Sequence, residues 1–295
     1  RATCEMEPVG VRSFGDTIWV FDFGVNLTGL CRLEIEGERG TKITMTHGEF
    51  VQPSGRIEMR NLDIYYKPLP GYDFQTDTYI LKGEGRETWT PDFTYHGFQY
   101  VELRSSTPVK LDKTSLTARF MHTDVSSVGK FSCSNGLFNR IWEMTRRTYL
   151  NNLTSIPTDC PQRDERLGWT GDAQIFSETA CYNMYVPAFY RKYLWDMRAE
   201  QSIIGGSVPH VVPRLKREFI EGHGSCAWAD VAVVLPWNVY VHYGDKTLLE
   251  ECYPGMKAWV NCMREKEEAL GGAHLIKDGF HFADWLALDN PEPGP

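Results

Sequence analysis

The sequence predicts a mixed fold: an antiparallel β-sandwich over residues 1–125 followed by an all-helical region over residues 126–295. Three observations carry this expectation. Through the first third of the chain, apolar residues recur at every second position, the period of a half-buried strand. From about residue 134 they recur at spacings of three and four, the period of a helix face. Beyond that point no strand-like run separates one helical stretch from the next, which excludes an alternating βαβ architecture.

The strands come first. Trp19, Phe21 and Phe23 alternate with Ile18, Val20 and Asp22, and Cys31, Leu33 and Ile35 alternate with Arg32, Glu34 and Glu36. Ile43, Met45 and His47 alternate with Thr44 and Thr46, after a turn at Gly37–Gly40. Thr76–Leu81 and Phe98–Leu103 are further strand candidates, and the polar stretch Val51–Tyr72 reads as a long loop. Short strands at this spacing predict a sandwich. The character changes near Ser126. Leu137, Phe138, Ile141 and Met144 mark one helix face, with Ser134 placed as its N-cap. Helices are predicted over Gln174–Met184, Ala188–Gln201, Ala229–Tyr243 and Thr247–Leu270, the last capped by Asp245. Ile204–Cys226 is a long loop with Gly and Pro, of the kind that often carries function. The start at Arg-Ala-Thr and the Pro-rich tail predict a piece of a larger protein.

Composition narrows the function. The 295 residues are 42% hydrophobic and 24% charged, an ordinary globular balance. A net charge of −8 without a basic run argues against a nucleic-acid partner. No run of about eighteen apolar residues predicts a membrane span. The eight cysteines have neither CxxC pairs nor a compact framework, which predicts free thiols, no zinc, and a lean toward a reducing, cytoplasmic setting. Aromatic residues make up 13%, as sugar-binding clefts and large cores both require.

The most informative segment is Asp159-Cys-Pro-Gln-Arg163-Asp164-Glu165-Arg166-Leu-Gly-Trp169-Thr-Gly-Asp172. It crowds four carboxylates, two arginines and a tryptophan between glycines and prolines. Carboxyls placed close together push their proton affinities apart, leaving one protonated and one ionised at the same pH. A glycosidase needs that division of labour.

Together with Pro157-Thr158, this segment resembles the signature of bacterial α-L-rhamnosidases, glycoside hydrolase family 78. Weaker matches run along the chain: Asp22-Phe-Gly24 to Gly29, Thr46-His47-Gly-Glu49, Tyr95-His-Gly-Phe98 to Val101, Pro209 to Pro213, Trp228-Ala-Asp230 and Asp284-Trp285-Leu. The resemblance implies a β-sandwich followed by the N-terminal part of an (α/α)6 toroid, and hydrolysis of terminal α-L-rhamnosyl groups with inversion. It implies Glu165 as general acid, with Asp164 as the rival acid. Asp159, Arg163 and Asp172 would hold the sugar hydroxyls, and Trp169, Asp284 and Trp285 would help line the pocket. The general base is expected in downstream helices that this chain does not contain. No cofactor or metal is implied, the partner would be a rhamnose-containing glycoside or oligosaccharide, and a homodimer is compatible.

Plainer readings stand beside these. Asp172 could be a helix N-cap and Asp159 an Asx-turn residue. Arg163 and Arg166 could form an ion-pair cluster with Asp164. Trp169 and Trp228 could be core, and His47, His96 and His223 satisfied structural histidines. Competing functions are another (α/α)6 carbohydrate enzyme (a fucosidase-like hydrolase, phosphorylase or lyase) and a non-catalytic carbohydrate-binding fragment.

Overall fold

In the computed structural model, residues 1–63, 73–215, 221–276 and 279–285 are described. Strands dominate the first part: β1 (Ala2–Met6), β2 (Gly10–Ser13), β3 (Ile18–Glu36), β4 (Lys42–Gly48), β5 (Phe50–Val51), β6 (Ile57–Glu58), a single turn α1 (Arg60–Asp63), β7 (Thr76–Ile80), β8 (Arg86–Trp89), β9 (His96–Ser105) and β10 (Leu116–Met121). Then follow α2 (Gly136–Asn151), the short strands β11 (Leu153–Thr154) and β12 (Ile156–Pro157), and helices α3 (Thr170–Asn183), α4 (Pro187–Ile203), α5 (Val231–Tyr243) and α6 (Lys246–Ala269). The chain forms two units. One holds Arg1–Asp124, Cys133–Ser155 and Asp159–Arg166; the other holds Val125–Ser132, Ile156–Thr158 and Leu167–Pro295.

In the first unit, eight strands form one curled antiparallel sheet in the order β1-β10-β3-β9-β4-β7, with β2 and β8 also paired to β3. The 19-residue β3 explains the curl. Its first part pairs with β2 and β9, and its last part with β10 and β8. Between Asp22 and Leu27 its register against β9 shifts. Bulges of this kind bend a strand and increase its twist. The odd-numbered side chains Trp19, Phe21, Phe23, Leu27, Cys31, Leu33 and Ile35 all enter one apolar core, as the alternation predicts. Ile43, Met45, Phe98, Val101, Leu103, Leu116 and Phe120 complete it from neighbouring strands. Helix α2 is tied to the β3 irregularity by its last residue. The Asn151 side chain accepts from Thr28 N at 3.1 Å and donates to Asn26 O at 3.2 Å.

In the second unit α5 is the central element. It is apolar nearly all round, and it packs against α3, α4 and α6.

Several boundaries differ from expectation. Asn135, not Ser134, caps α2, its Oδ1 accepting from Leu137 N at 2.9 Å. Helix α3 starts at Thr170 rather than Gln174. The loop expected over residues 51–72 holds β6 and α1, and its last nine residues lie outside the described ones. All eight cysteines are free. Among the described residues no helix is long and apolar enough to cross a membrane.

Candidate active site

Residues 159–166 fold within the β-rich unit, against the start of β9. Gly97 makes that approach feasible. A Cβ at this position would sit 2.8 Å from Gln162 N and 2.8 Å from Pro161 C, closer than a side chain tolerates. This gives a physical reason for the glycine in Tyr95-His-Gly-Phe98.

Arg163 organises the acids of this loop. Its Nε donates to Glu165 Oε2 at 2.9 Å, and its Nη2 lies 3.5 Å from Asp159 Oδ2. The Asp159 side chain is nearly buried at 6% exposure, while Glu165 keeps 27%. One acid is thus anchored inside and the other can be reached from solvent. Glu165 N also donates to Arg163 O at 2.9 Å, closing a tight turn that sets both side chains on Arg163. Cys160 lies beside them. Burial, with Asp159 next to it, pushes its thiol well above the usual range, so it remains a neutral SH group rather than a nucleophile. Glu49, at the end of β4, is a further acid close by. Burial raises its carboxyl above the usual value, and Arg163 partly offsets that.

Among the described residues, the Arg166 guanidinium finds its partners outside the acid cluster. Its Nη1 donates to Tyr95 O and its Nη2 to Gln75 Oε1, each at 2.8 Å. The guanidinium lies over the Tyr95 ring at 4.6 Å and over Phe74 at 5.4 Å. Its backbone is left-handed, with φ of 55°. A non-glycine residue persists there only when its surroundings over-determine it, and these four contacts do so.

The remaining candidates belong to the helical unit. Asp172 lies in the first turn of α3, exposed, with Trp169 in the N-cap position, so the capping role considered for Asp172 does not hold. The positive end of the helix dipole favours a carboxylate there. Trp169 is 8% exposed and packs with Val211 and Phe282, so packing is the role visible for it. Trp169 pairs as an isolated bridge with Val211, in the long loop after α4. Thr170 N donates to His210 O at 2.9 Å, so that loop supports the motif from behind. Gly171 admits the Trp228 indole, whose ring would lie 2.6 Å from a Cβ. Asp230 is structural: it accepts from Trp259 Nε1 at 2.9 Å and from Ala227 N at 2.8 Å. Asp284 and Trp285 are exposed, Trp285 meeting Phe282 edge-on at 5.5 Å.

Two groups of donors lie within 4.8 Å of one another: Asp159, Cys160 and Glu165, and the buried trio His47, Asp77 and His96. In the first group Arg163 already supplies the positive charge. In the second, His96 Nε2 is engaged with Asp77 Oδ2 at 2.9 Å, His47 Nε2 lies 3.9 Å from the same oxygen, and the two imidazole rings stack at 4.1 Å. Sequence reasoning did not find this trio or Glu49. Strand pairing, not sequence spacing, brings the two histidines and Asp77 together.

Residues 126–294 match the family model described as the bacterial alpha-L-rhamnosidase 6 hairpin glycosidase domain. The chain belongs to the bacterial α-L-rhamnosidase family. Residues 12–122 match the bacterial alpha-L-rhamnosidase concanavalin-like domain. An alpha-L-rhamnosidase of Streptomyces avermitilis is 35% identical over 276 residues, spanning 94% of this chain and 25% of that protein. One from Formosa agariphila is 34% identical over 292 residues, spanning 95% of this chain and 29% of its own length. Among solved structures, the α-L-rhamnosidase from Dictyoglumus thermophilum superposes with a TM-score of 0.83 at 38% identity, over 91% of this chain and 29% of that one. The Streptomyces avermitilis α-L-rhamnosidase complexed with L-rhamnose gives 0.85 at 34%, over 97% and 26%. The rhamnosidase-family chain described here therefore spans about a quarter of the curated relatives it matches.

Proposed function

We propose that this chain carries the acid half of an inverting α-L-rhamnosidase, with Glu165 as the general acid. The observation that carries the reading is the arrangement around Arg163, which holds a nearly buried Asp159 and a reachable Glu165 on one guanidinium. Inversion requires an acid on one face of the sugar and a base activating water on the other, with carboxyls roughly 6.5–9.5 Å apart. Glu165 leaves its ion pair with Arg163, takes up a proton from solvent and passes it to the glycosidic oxygen as the C–O bond breaks. Asp159 and Arg163 hold sugar hydroxyls; in the helical unit Asp172, Asp284 and Trp285 are the candidates for sugar contact. Trp169 supports the start of α3 and offers only its exposed edge.

In this reading residues 1–125 form the sandwich domain and residues 126–295 begin an (α/α)6 toroid. The base comes from later helices of that toroid. The substrate is a rhamnose-containing glycoside, in keeping with the relative whose structure was solved with L-rhamnose.

The test uses the full-length enzyme and proton NMR of the first-formed sugar. Release of β-L-rhamnose from an α-L-rhamnoside is expected, with Glu165→Gln slower by about 10²–10⁴-fold on a substrate whose leaving group needs a proton. Release of the α anomer, or an unimpaired Glu165→Gln, contradicts the proposal.

A further inference from the structure

A buried polar chain runs from the core of the sheet to the residue next to the proposed acid. Gln75, almost wholly buried, is its centre. Its Nε2 donates to Gly97 O at 2.6 Å, which fixes the amide orientation and leaves Oε1 as an acceptor. Oε1 receives Arg166 Nη2 at 2.8 Å and faces His96 Nδ1 at 3.2 Å. Gln75 Oε1 and an ionised Asp77 carboxylate can only accept, so both ring nitrogens of His96 face acceptors. The other ring nitrogen of His96 meets Asp77 Oδ2 at 2.9 Å. His47 stacks on the His96 ring and its Nδ1 meets Gln75 O at 3.1 Å, so the imidazole is clamped on its face as well as at its edges. Asp77, His96, His47 and Gln75 are all buried.

We propose that Asp77, His96 and Gln75 act as positioning residues for leaving-group protonation: they hold Arg166 in its left-handed conformation and thereby fix the carboxyl of the adjacent Glu165. The inference rests on Glu165 being the acid. Two observations favour a positioning role over plain core structure. Apolar core residues such as Phe98, whose ring meets that of His47 at 4.8 Å, pack against these groups. Burying a carboxylate and a polar amide there costs free energy that an apolar core avoids. Among the described residues, the side-chain bonds also lead from Asp77 through His96 and Gln75 to Arg166, in the backbone turn of the acid loop. Arg166 is held by Gln75 and Tyr95 on one side and is covalently joined to Glu165 on the other. A misplacement of about 1 Å in a catalytic group can cost on the order of a hundredfold in rate, so a partial loosening is expected to cost about tenfold.

General-acid catalysis supplies the discriminating readout. An alkoxide leaving group must be protonated as it departs, whereas dinitrophenolate leaves without help. Asp77→Asn and Arg166→Lys in the full-length enzyme are expected to lower kcat about tenfold on methyl α-L-rhamnoside. On 2,4-dinitrophenyl α-L-rhamnoside they should change kcat less than about twofold, with KM steady on both substrates. The double variant should be no slower than the slower single, because both act through one chain. If one variant does not fold, the other reads the same chain. Equal losses on the two substrates, or no loss on either, overturn the positioning role. Glu165→Gln is measured alongside. If it shows no dependence on the leaving group, the acid assignment itself fails; if it shows the dependence and the other variants do not, only the relay fails.

Discussion

Inside the helical unit, His210 is 2% exposed, and among the described residues neither ring nitrogen has a hydrogen-bond partner. Its surroundings are the Phe280 and Phe282 rings at 5.8 and 4.7 Å. Burial, with His223 and His281 adding to it, pushes the imidazole down to about 4. The unfolded chain binds that proton already near pH 6.5, so between about 6.5 and 4 the unfolded state holds more protons than the folded one. The stability this residue contributes is therefore complete above about pH 6.5 and falls as the pH drops toward 4, by at most about 3 kcal/mol. Denaturation midpoints measured across that range should fall with acid in the native protein and fall less in His210→Phe, since Phe cannot take up a proton. Equal acid sensitivity in both would show that other groups govern it. Nothing in Pro209-His-Val-Val-Pro213 announces this residue's burial, because a lone histidine in a loop is ordinarily exposed. Arg163 shows the same limit. Its place in the acid motif was legible, but its pairing with Asp159 and Glu165 depended on a turn that only the folded loop reveals.

At the scale of elements, helix starts were more legible than helix partners. Asp245 caps α6 as expected, its Oδ1 accepting from Leu248 N at 2.9 Å, and it also pairs with Arg191 at 2.9 Å. Asp245→Ala should lower stability by about 1 kcal/mol, read as a shift in denaturation midpoint, while Asp245→Asn should recover most of the capping part. A full loss in the Asn variant would assign the effect to the Arg191 ion pair. The one-residue error at α2, Ser134 for Asn135, arises because both residue types cap well and it is the Asn135 side-chain oxygen that accepts from Leu137 N. Helix α2 illustrates the other limit. Leu137, Phe138, Ile141 and Met144 do form one face at helical spacing, and all four are exposed. Periodicity identifies an apolar face without saying what covers it. Strand β3 is similar: its alternation was readable, but a single strand changing partners along 19 residues was not, because pairing is a property of two chains of sequence and not of one.

At the scale of the whole molecule, the sequence carried the β-then-α order and the position of the acid-rich motif. It did not show that residues 159–166 would fold with the β-rich unit while the described residues from Leu167 onward fold with the helices. That division gives the first part of the chain a role beyond preceding the helical region. Gly97, Tyr95 and Gln75 hold the segment that contains Glu165, and each lies more than 60 residues away from it in sequence. The central claim is that Glu165 delivers a proton to the glycosidic oxygen while Asp159 and Arg163 grip the sugar. A structure of the full-length enzyme with L-rhamnose bound tests it most directly. A Glu165 carboxylate oxygen is expected about 2.6–3.2 Å from the anomeric oxygen, with Arg163 released from it toward a ring hydroxyl. Glu165 still bound to Arg163 and turned away from the sugar, with another carboxyl at the anomeric oxygen, would contradict it.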